Sequence, residues 1–572
     1  MALSRMTAAL GPAQAAVDAT LADWRGNGKV DKLWAGDAAL WSGTDEAKWL
    51  GWLTIVENQK AHVAELEGIA EDIKKSGFED ALLMGMGGSS LCPEVLELTF
   101  GRAAGFPKMH VLDSTVPAQV RAFRAAIDPT STVCIVSSKS GGTTEPNVFR
   151  QYFQAELQKA LGDTPAGSRF IAVTDPGTKM ERVARENGFR HIGYGDPTIG
   201  GRFSALSHFG MVPAAVMGLD VGAFLASAGE MVAACGPGTD PRDNPGVHLG
   251  VILGTLAAEF NRDKVTIVAS PGIGDLGAWL EQLIAESTGK TGLGLVPVDS
   301  EHLGAPAVYG ADRVFAYIRL DSEPSAEQDA VIEALGRAGH PVIEIHLADK
   351  REIAQQFYCW EIATAVVGSI LGINAFNQPD VEASKIKTRE LSEEYAKTGV
   401  APAETPIAEG HGLKLFTDPR NAEALGAPGG DVATILKAHL DRIRIGDYFA
   451  LTGYVQMDAA NGALLQSIRH AVRDSKKVAT TLGYGPRFLH STGQLHKGGP
   501  NTGVFIQITS DDAEDLAIPG ETYTFGLLKQ FQAMGDFAVL AERDRRALRV
   551  HLGADVPAGL KTLHGLIAAA LD

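Results

Sequence analysis

From residue 81 onward two hydrophobic periods alternate along the chain. Short runs that are apolar almost throughout, ALLMGMGG (81–88), KMHVLD (108–113), TVCIVSS (132–138) and RFIAVTD (169–175), alternate with stretches such as VPAQVRAFRAAI and NVFRQYFQAELQKAL, where apolar residues recur every three or four positions. The first pattern is that of a strand buried on both faces and the second that of a helix covering it, so the segment predicts a parallel sheet wrapped by helices. A second unit of the same kind starts near residue 246. Its helices are GVHLGVILGTLAAEF, GAWLEQLIAES and the long apolar REIAQQFYCWEIATAVVGSILG; its strands are KVTIVAS, DRVFAYIRL and PVIEIHL. Ahead of both units, Leu33, Trp34, Leu40, Trp41, Trp49, Leu50 and Trp52 are spaced between polar faces, which predicts a helical collar over residues 1–75.

The stretch 391–430 is rich in Pro, Gly, Ala and charge and predicts a loose connection or a small decorated insert. Beyond it the α/β pattern returns. HLGAPAVYGADRVFAYIRL of the second unit lines up with HSTGQLHKGGPNTGVFIQI of the tail, and the helix REIAQQFYCWEIATAVVG with TYTFGLLKQFQAMGDFAV. The tail therefore reads as a degenerate copy of the second unit. The predicted architecture is α/β: a collar (1–75), two tandem units with parallel sheets flanked by helices (76–230 and 231–400), and a degenerate third copy (401–572).

Composition narrows the choice of partners. With 572 residues and 45% hydrophobic content there is material for several cores. Lys plus Arg is 51 against Asp plus Glu 69, a net charge of −18, which argues against binding nucleic acid or an anionic membrane through bulk charge. An anionic ligand must be held locally. Cys92, Cys134, Cys235 and Cys359 are far apart and show no CxxC pairing, so neither a zinc site nor a disulfide framework is expected, and a reducing cytoplasm fits. MALSRMTAAL has no long apolar core or processing site, and no stretch approaches eighteen uninterrupted apolar residues; neither export nor membrane insertion is expected.

The candidate chemistry begins at SSKSGGTTEP (137–146), which follows directly on an apolar strand. Ligands of parallel sheets sit beyond the carboxyl ends of the strands, and the next helix starts around Thr143 or Thr144, pointing its free N–H groups at this loop. Two readings are open: the hydroxyls cap the helix, or Ser138, Ser140 and Thr143 hold phosphate oxygens while Gly141 and Gly142 let the backbone approach. Lys139 either adds positive potential or faces solvent. GMGGSS (85–90) also lies between a strand and a helix, which puts Gly87, Gly88 and Ser89 beside that turn. It does not fit a dinucleotide fingerprint, because position 90 is Ser, and it lacks the GK[ST] of a P-loop. Two adjacent turns make a cradle for a phosphorylated metabolite.

GMGGSS, SSKSGGTTEP, GGRFSALS (200–207), ESTGK (286–290) and NAFNQPDVEASK (374–385), in this order, resemble the sugar isomerase domains of the glucose-6-phosphate isomerase family. The form is that of the isomerase part of transaldolase/glucose-6-phosphate isomerase fusions, with no barrel-length segment before residue 81. The resemblance implies reversible conversion of glucose 6-phosphate to fructose 6-phosphate through ring opening and an enediolate, with no metal and no organic cofactor. It implies that Glu286 moves the proton between C2 and C1, that Arg202 stabilises the enediolate, and that Lys385 helps to open the ring. For the ring-opening acid two histidines compete. His302 lies sixteen residues after Glu286, whereas His490, in FLHSTGQ, meets the family's local pattern. In the family this histidine comes from a second subunit, so a tail carrying it would replace the partner and allow an active monomer. A phosphosugar-binding regulator and an isomerase that also accepts mannose 6-phosphate remain alternative readings.

Overall fold

A computed structural model describes residues 3–427 and 429–572. The chain opens with a strand, β1 (Arg5–Ala9), where the sequence predicts only helices. Its five residues alternate exposed and half-buried, too short a pattern to separate from a frayed helix. The rest of the collar is helical, and its last helix, Val63–Ser76, leads into the first sheet.

The first unit holds β2 (Asp80–Met84), β3 (Lys108–Leu112), β4 (Thr132–Ser137), β5 (Phe170–Thr174) and β6 (His191–Tyr194), all parallel, in the order β3-β2-β4-β5-β6. All six residues of β4 are buried, which is why TVCIVS has no polar face. In the second unit, β7 (Lys264–Ala269), β8 (Val296–Val298), β9 (Arg313–Leu320) and β10 (Val342–Leu347) are parallel, and β1 adds antiparallel to β10. The helix Ile353–Leu371 is apolar all round because it is buried nearly along its whole length.

The segment predicted to be a loose connection is mostly built. The helix Pro379–Thr398 runs through its first part, and β11 (Ala408–Gly410) and β12 (Leu413–Phe416) form a hairpin that edges the third sheet. That sheet continues with β13 (Tyr448–Gly453), β14 (Ala479–Tyr484), β15 (Gly503–Ser510) and β16 (Arg546–Leu552), in the order β11-β12-β16-β15-β13-β14.

The four parallel strands of the tail share the order of the second unit: second, first, third, fourth, with an antiparallel strand beside the fourth. His302 follows β8 and His490 follows β14, the second strand in each case. The predicted helix pairing does not hold. Ile353–Leu371 follows the fourth strand of its sheet, whereas Phe525–Glu542 precedes the fourth strand of the tail. Both are long buried helices, and burial alone produced the likeness of their apolar patterns.

The tail is packed into the other units. Ile518, Phe525 and Leu528 complete the first unit's core beside Phe149, with the Phe149 and Phe525 rings stacked at 6.1 Å. Tyr448, Leu495 and Phe505 share a core with Ala285, Val296 and Val298 of the second unit. Each such apolar side chain contributes about 1.5–3 kcal/mol when fully buried, so the docking is firm. Among the described residues no helix is long and apolar enough to cross a membrane.

Candidate active site

β2 and β4 are hydrogen-bonded neighbours, so the GMGGSS and SSKSGGTT turns leave the sheet side by side. Thr143 stands at the N-cap of the helix Thr144–Leu161, but its side chain makes no capping bond. Among the described residues Ser138 is buried with no partner for its Oγ, while Ser140 Oγ accepts only the nearby Gly142 N–H, at 3.2 Å. Of the two readings of this loop, capping is therefore not what the hydroxyls do. A loop with an unpartnered buried hydroxyl, uncapped helix N–H groups and a left-handed Gly141 (φ 65°) is suited to an oxyanion. Lys139 is turned aside: its ammonium pairs with Asp175 and reaches the Asp196 carbonyl at 3.3 Å. It braces the loop against its neighbour.

The glycines of the other turn serve close packing. A Cβ on Gly87 would lie 2.7 Å from both Gln282 Nε2 and the His490 carbonyl oxygen, and one on Gly88 would lie 1.8 Å from the Gly201 carbonyl oxygen. Three segments distant in sequence can therefore meet here. Ser89 is buried beside them.

Glu286 projects from the end of the helix Leu276–Thr288 and is 8% exposed. Arg202 is buried opposite, with NH1 3.6 Å from Glu286 Oε1. Its guanidinium is held at every corner: by Ser287 Oγ (2.7 Å), Gln378 Oε1 (2.9 Å) and the carbonyls of Ala375 (2.8 Å) and Asn377 (3.1 Å). Burial pulls its pKa down and the Glu286 carboxylate opposes that. A cation so placed is preorganised to meet negative charge without rearranging. Within ESTGK, Lys290 is buried and bonded to the Ser287 and Asn374 carbonyls at 2.8 and 2.7 Å, joining the helix end to the strand of residues that holds Arg202.

His490 reaches this site from the tail. Its Nε2 lies 3.0 Å from Glu145 Oε1, and its carbonyl accepts from Gln282 Nε2 at 2.8 Å; the same amide is 3.1 Å from Glu286 Oε2. Gln282 thus bridges the glutamate and the histidine segment. Glu145, in the first turn of the helix after the hydroxyl loop, is buried and also accepts from Gln532 Nε2 at 2.7 Å. Burial would raise its carboxyl, but the facing His490 outweighs this and brings it below its usual value, with Lys385 adding to the effect. The turn bearing His490 is pinned by Arg487, whose guanidinium makes two 2.6 Å bonds to Glu94 and lies 2.7 Å from Asp113.

His302 is elsewhere. It is exposed, stacks on His470 at 4.9 Å, and its carbonyl accepts from Arg473. Lys385 lies on the helix Pro379–Thr398 with its side chain 44% exposed, its ammonium 3.5 Å from Glu382. Its charge acts on Glu145, but its amine is not bonded into the cluster. Sequence reasoning missed Glu145, Gln282, Gln378 and Arg487. Two of them carried a readable signal: Gln282 is one helical turn before Glu286, and Glu145 stands in the quoted hydroxyl motif.

The tandem α/β fold brings together a hydroxyl-rich turn, a buried glutamate–arginine pair and a carboxylate-backed histidine. Residues 66–312 match the family model of phosphoglucose isomerase. A glucose-6-phosphate isomerase of Rubrobacter xylanophilus is 29% identical over 399 residues, 61% of this chain and 89% of its own, and one of Carboxydothermus hydrogenoformans is 26% identical over 60% and 84%. A solved glucose-6-phosphate isomerase of Chlamydia trachomatis superposes with a TM-score of 0.59 at 18% identity, covering 68% of this chain and 89% of that one. The same TM-score at 23% identity is reached by a hypothetical protein of Thermus thermophilus, over 68% and 99%. The chain is similar to the glucose-6-phosphate isomerases, the family its motifs resemble.

Proposed function

We infer that this chain interconverts glucose 6-phosphate and fructose 6-phosphate, and that one chain holds everything the reaction requires. The phosphate binds at Ser138, Ser140 and Thr143 and the uncapped helix N–H groups. His490, oriented by Glu145, gives a proton to the ring oxygen as the C1–O5 bond breaks and the C1 hydroxyl releases its proton to solvent, and Lys385 favours the same step with its charge. Glu286 then takes the proton from C2 and returns it to C1. Negative charge on O1 and O2 of the enediolate is met by Arg202, while Gln282 keeps Glu286 and the histidine segment in register.

The observation that carries this reading is the bridge by Gln282 between Glu286 of the second unit and His490 of the tail, within a single chain. A phosphosugar-binding regulator would use the hydroxyl loop but has no call for a buried glutamate beside a buried arginine. A coupled assay for glucose 6-phosphate formed from fructose 6-phosphate, run in chelator, tests it. Turnover is expected; none, with the sugar phosphate still bound, would favour the regulator.

A further inference from the structure

Where the collar meets the first unit, away from the residues just described, three side chains form a different kind of cluster. His62 is the residue preceding the helix Val63–Ser76, Glu65 stands in that helix's first turn, and His208 opens the helix His208–Met217. The two helices pack against each other. One ligating atom from each of the three lies within 4.8 Å of the others. His62 Nδ1 is 3.0 Å from Glu65 Oε2, and His208 Nε2 is 3.9 Å from Glu65 Oε1. In a tetrahedral site with bonds of about 2.0–2.2 Å, ligand atoms sit roughly 3.3–3.5 Å apart, so small rotations of the two exposed side chains bring the set to that spacing.

The surroundings favour an ion over a hydrogen-bonded triad. His208 is buried, whereas His62 and Glu65 are nearly half exposed, so the cluster opens to solvent on one side and leaves coordination positions for water. Gln59, also buried, sets its amide 3.0 Å from His208 Nδ1, and among the described residues its own Oε1 has no partner. With the amide turned over, that oxygen accepts the Nδ1 proton and leaves the Nε2 lone pair facing Glu65 and His62. An outer hydrogen bond of this kind is what fixes the tautomer of a metal-bound histidine. Two imidazoles and one carboxylate suit a borderline divalent ion such as Zn²⁺ over Mg²⁺ or Ca²⁺, which take oxygen ligands.

We propose that His62, Glu65 and His208 form a divalent transition-metal site, best matched by Zn²⁺, that clamps the collar's last helix to the helix following the Arg202 turn. It shares no residue with the isomerase site, and no step of the reaction passes through it. His208 is six residues beyond Arg202, so the ion would steady the segment that delivers the arginine.

Isothermal titration of chelator-stripped full chain with Zn²⁺ tests the proposal, together with melting curves in Zn²⁺ and in chelator. One saturable site and a higher melting temperature in Zn²⁺ are expected. His62→Ala and Glu65→Gln, both at exposed positions that leave the fold intact, should each weaken that site at least tenfold and abolish the melting shift. Co²⁺ in the same site should give the visible bands of nitrogen and oxygen ligation without sulfur. Absence of saturable binding, or affinity unchanged in both variants, would overturn the assignment, the latter by pointing to the cysteines or another surface group.

Discussion

Glu286 stands 3.6 Å from the Arg202 guanidinium and 3.1 Å from Gln282, so its carboxylate is aimed by two neighbours, one of them charged. Glu286→Gln keeps the size and the hydrogen-bonding reach but removes what the proposed mechanism uses as its base, and on that mechanism isomerisation should fall by at least about a hundredfold while sugar phosphate still binds. Proton exchange at C2 that survives in the variant would assign the work to another group. His490→Ala should slow turnover of closed-ring substrate and spare proton exchange on sugar already open, because only ring opening loses its acid; His302→Ala should change little. At this scale much was legible. ESTGK and GGRFS singled out Glu286 and Arg202 because they match motifs of the family the sequence resembles; that both are buried is seen only in the fold. Glu145 was not, since an acid in the first turn of a helix is ordinary, and only the fold reveals that a histidine 345 residues later faces it.

Among elements, the hydroxyl loop and the His490 turn are held by opposite means. The loop keeps its hydroxyls and helix N–H groups free, so Ser140→Ala with Thr143→Ala should weaken sugar-phosphate binding about tenfold or more, charged hydrogen bonds being worth about 1.5–3 kcal/mol each, with little change in melting temperature. Equal affinity would remove the loop from the site. The turn is fixed by Arg487 on Glu94 and Asp113. Arg487→Met leaves two carboxylates without their cation and should cost about 3–5 kcal/mol, with ring opening failing before phosphate binding does. The long strands and helices could be read from their periods. β1 could not, because none of its residues is buried, nor could β8, only three residues long, and the hairpin of β11 and β12 was hidden because it is stabilised by pairing with β16 instead of by its own sequence.

For the molecule as a whole, the question is what the tail is for. Its sheet repeats the second unit's strand order, and the carbonyl of its His490 accepts from Gln282, whose amide also bonds Glu286 of the second unit. Where the tail meets that unit, Glu281 faces Asp299, Arg469 and Arg487, and burial, with Asp299 adding to it, raises its carboxyl from the usual 4.5 to about 8. A carboxyl whose pKa is raised on folding stabilises fully below its unfolded value and loses that contribution as pH climbs through the folded one. The melting temperature should therefore decline between about pH 5 and 8, and Glu281→Gln should flatten the decline. The sequence alignment of the tail had pointed to this relationship through the strands, and it misled on the helices, since apolar composition does not encode order along the chain. Mixing chains tests the central claim most directly: Glu286→Gln and His490→Ala proteins, each impaired alone, are combined and refolded together, and turnover of closed-ring substrate is measured. With both residues of a site supplied by one chain, the mixture should stay as slow as its components; recovery of appreciable activity would show that sites are completed between subunits and would contradict the tail as a built-in partner.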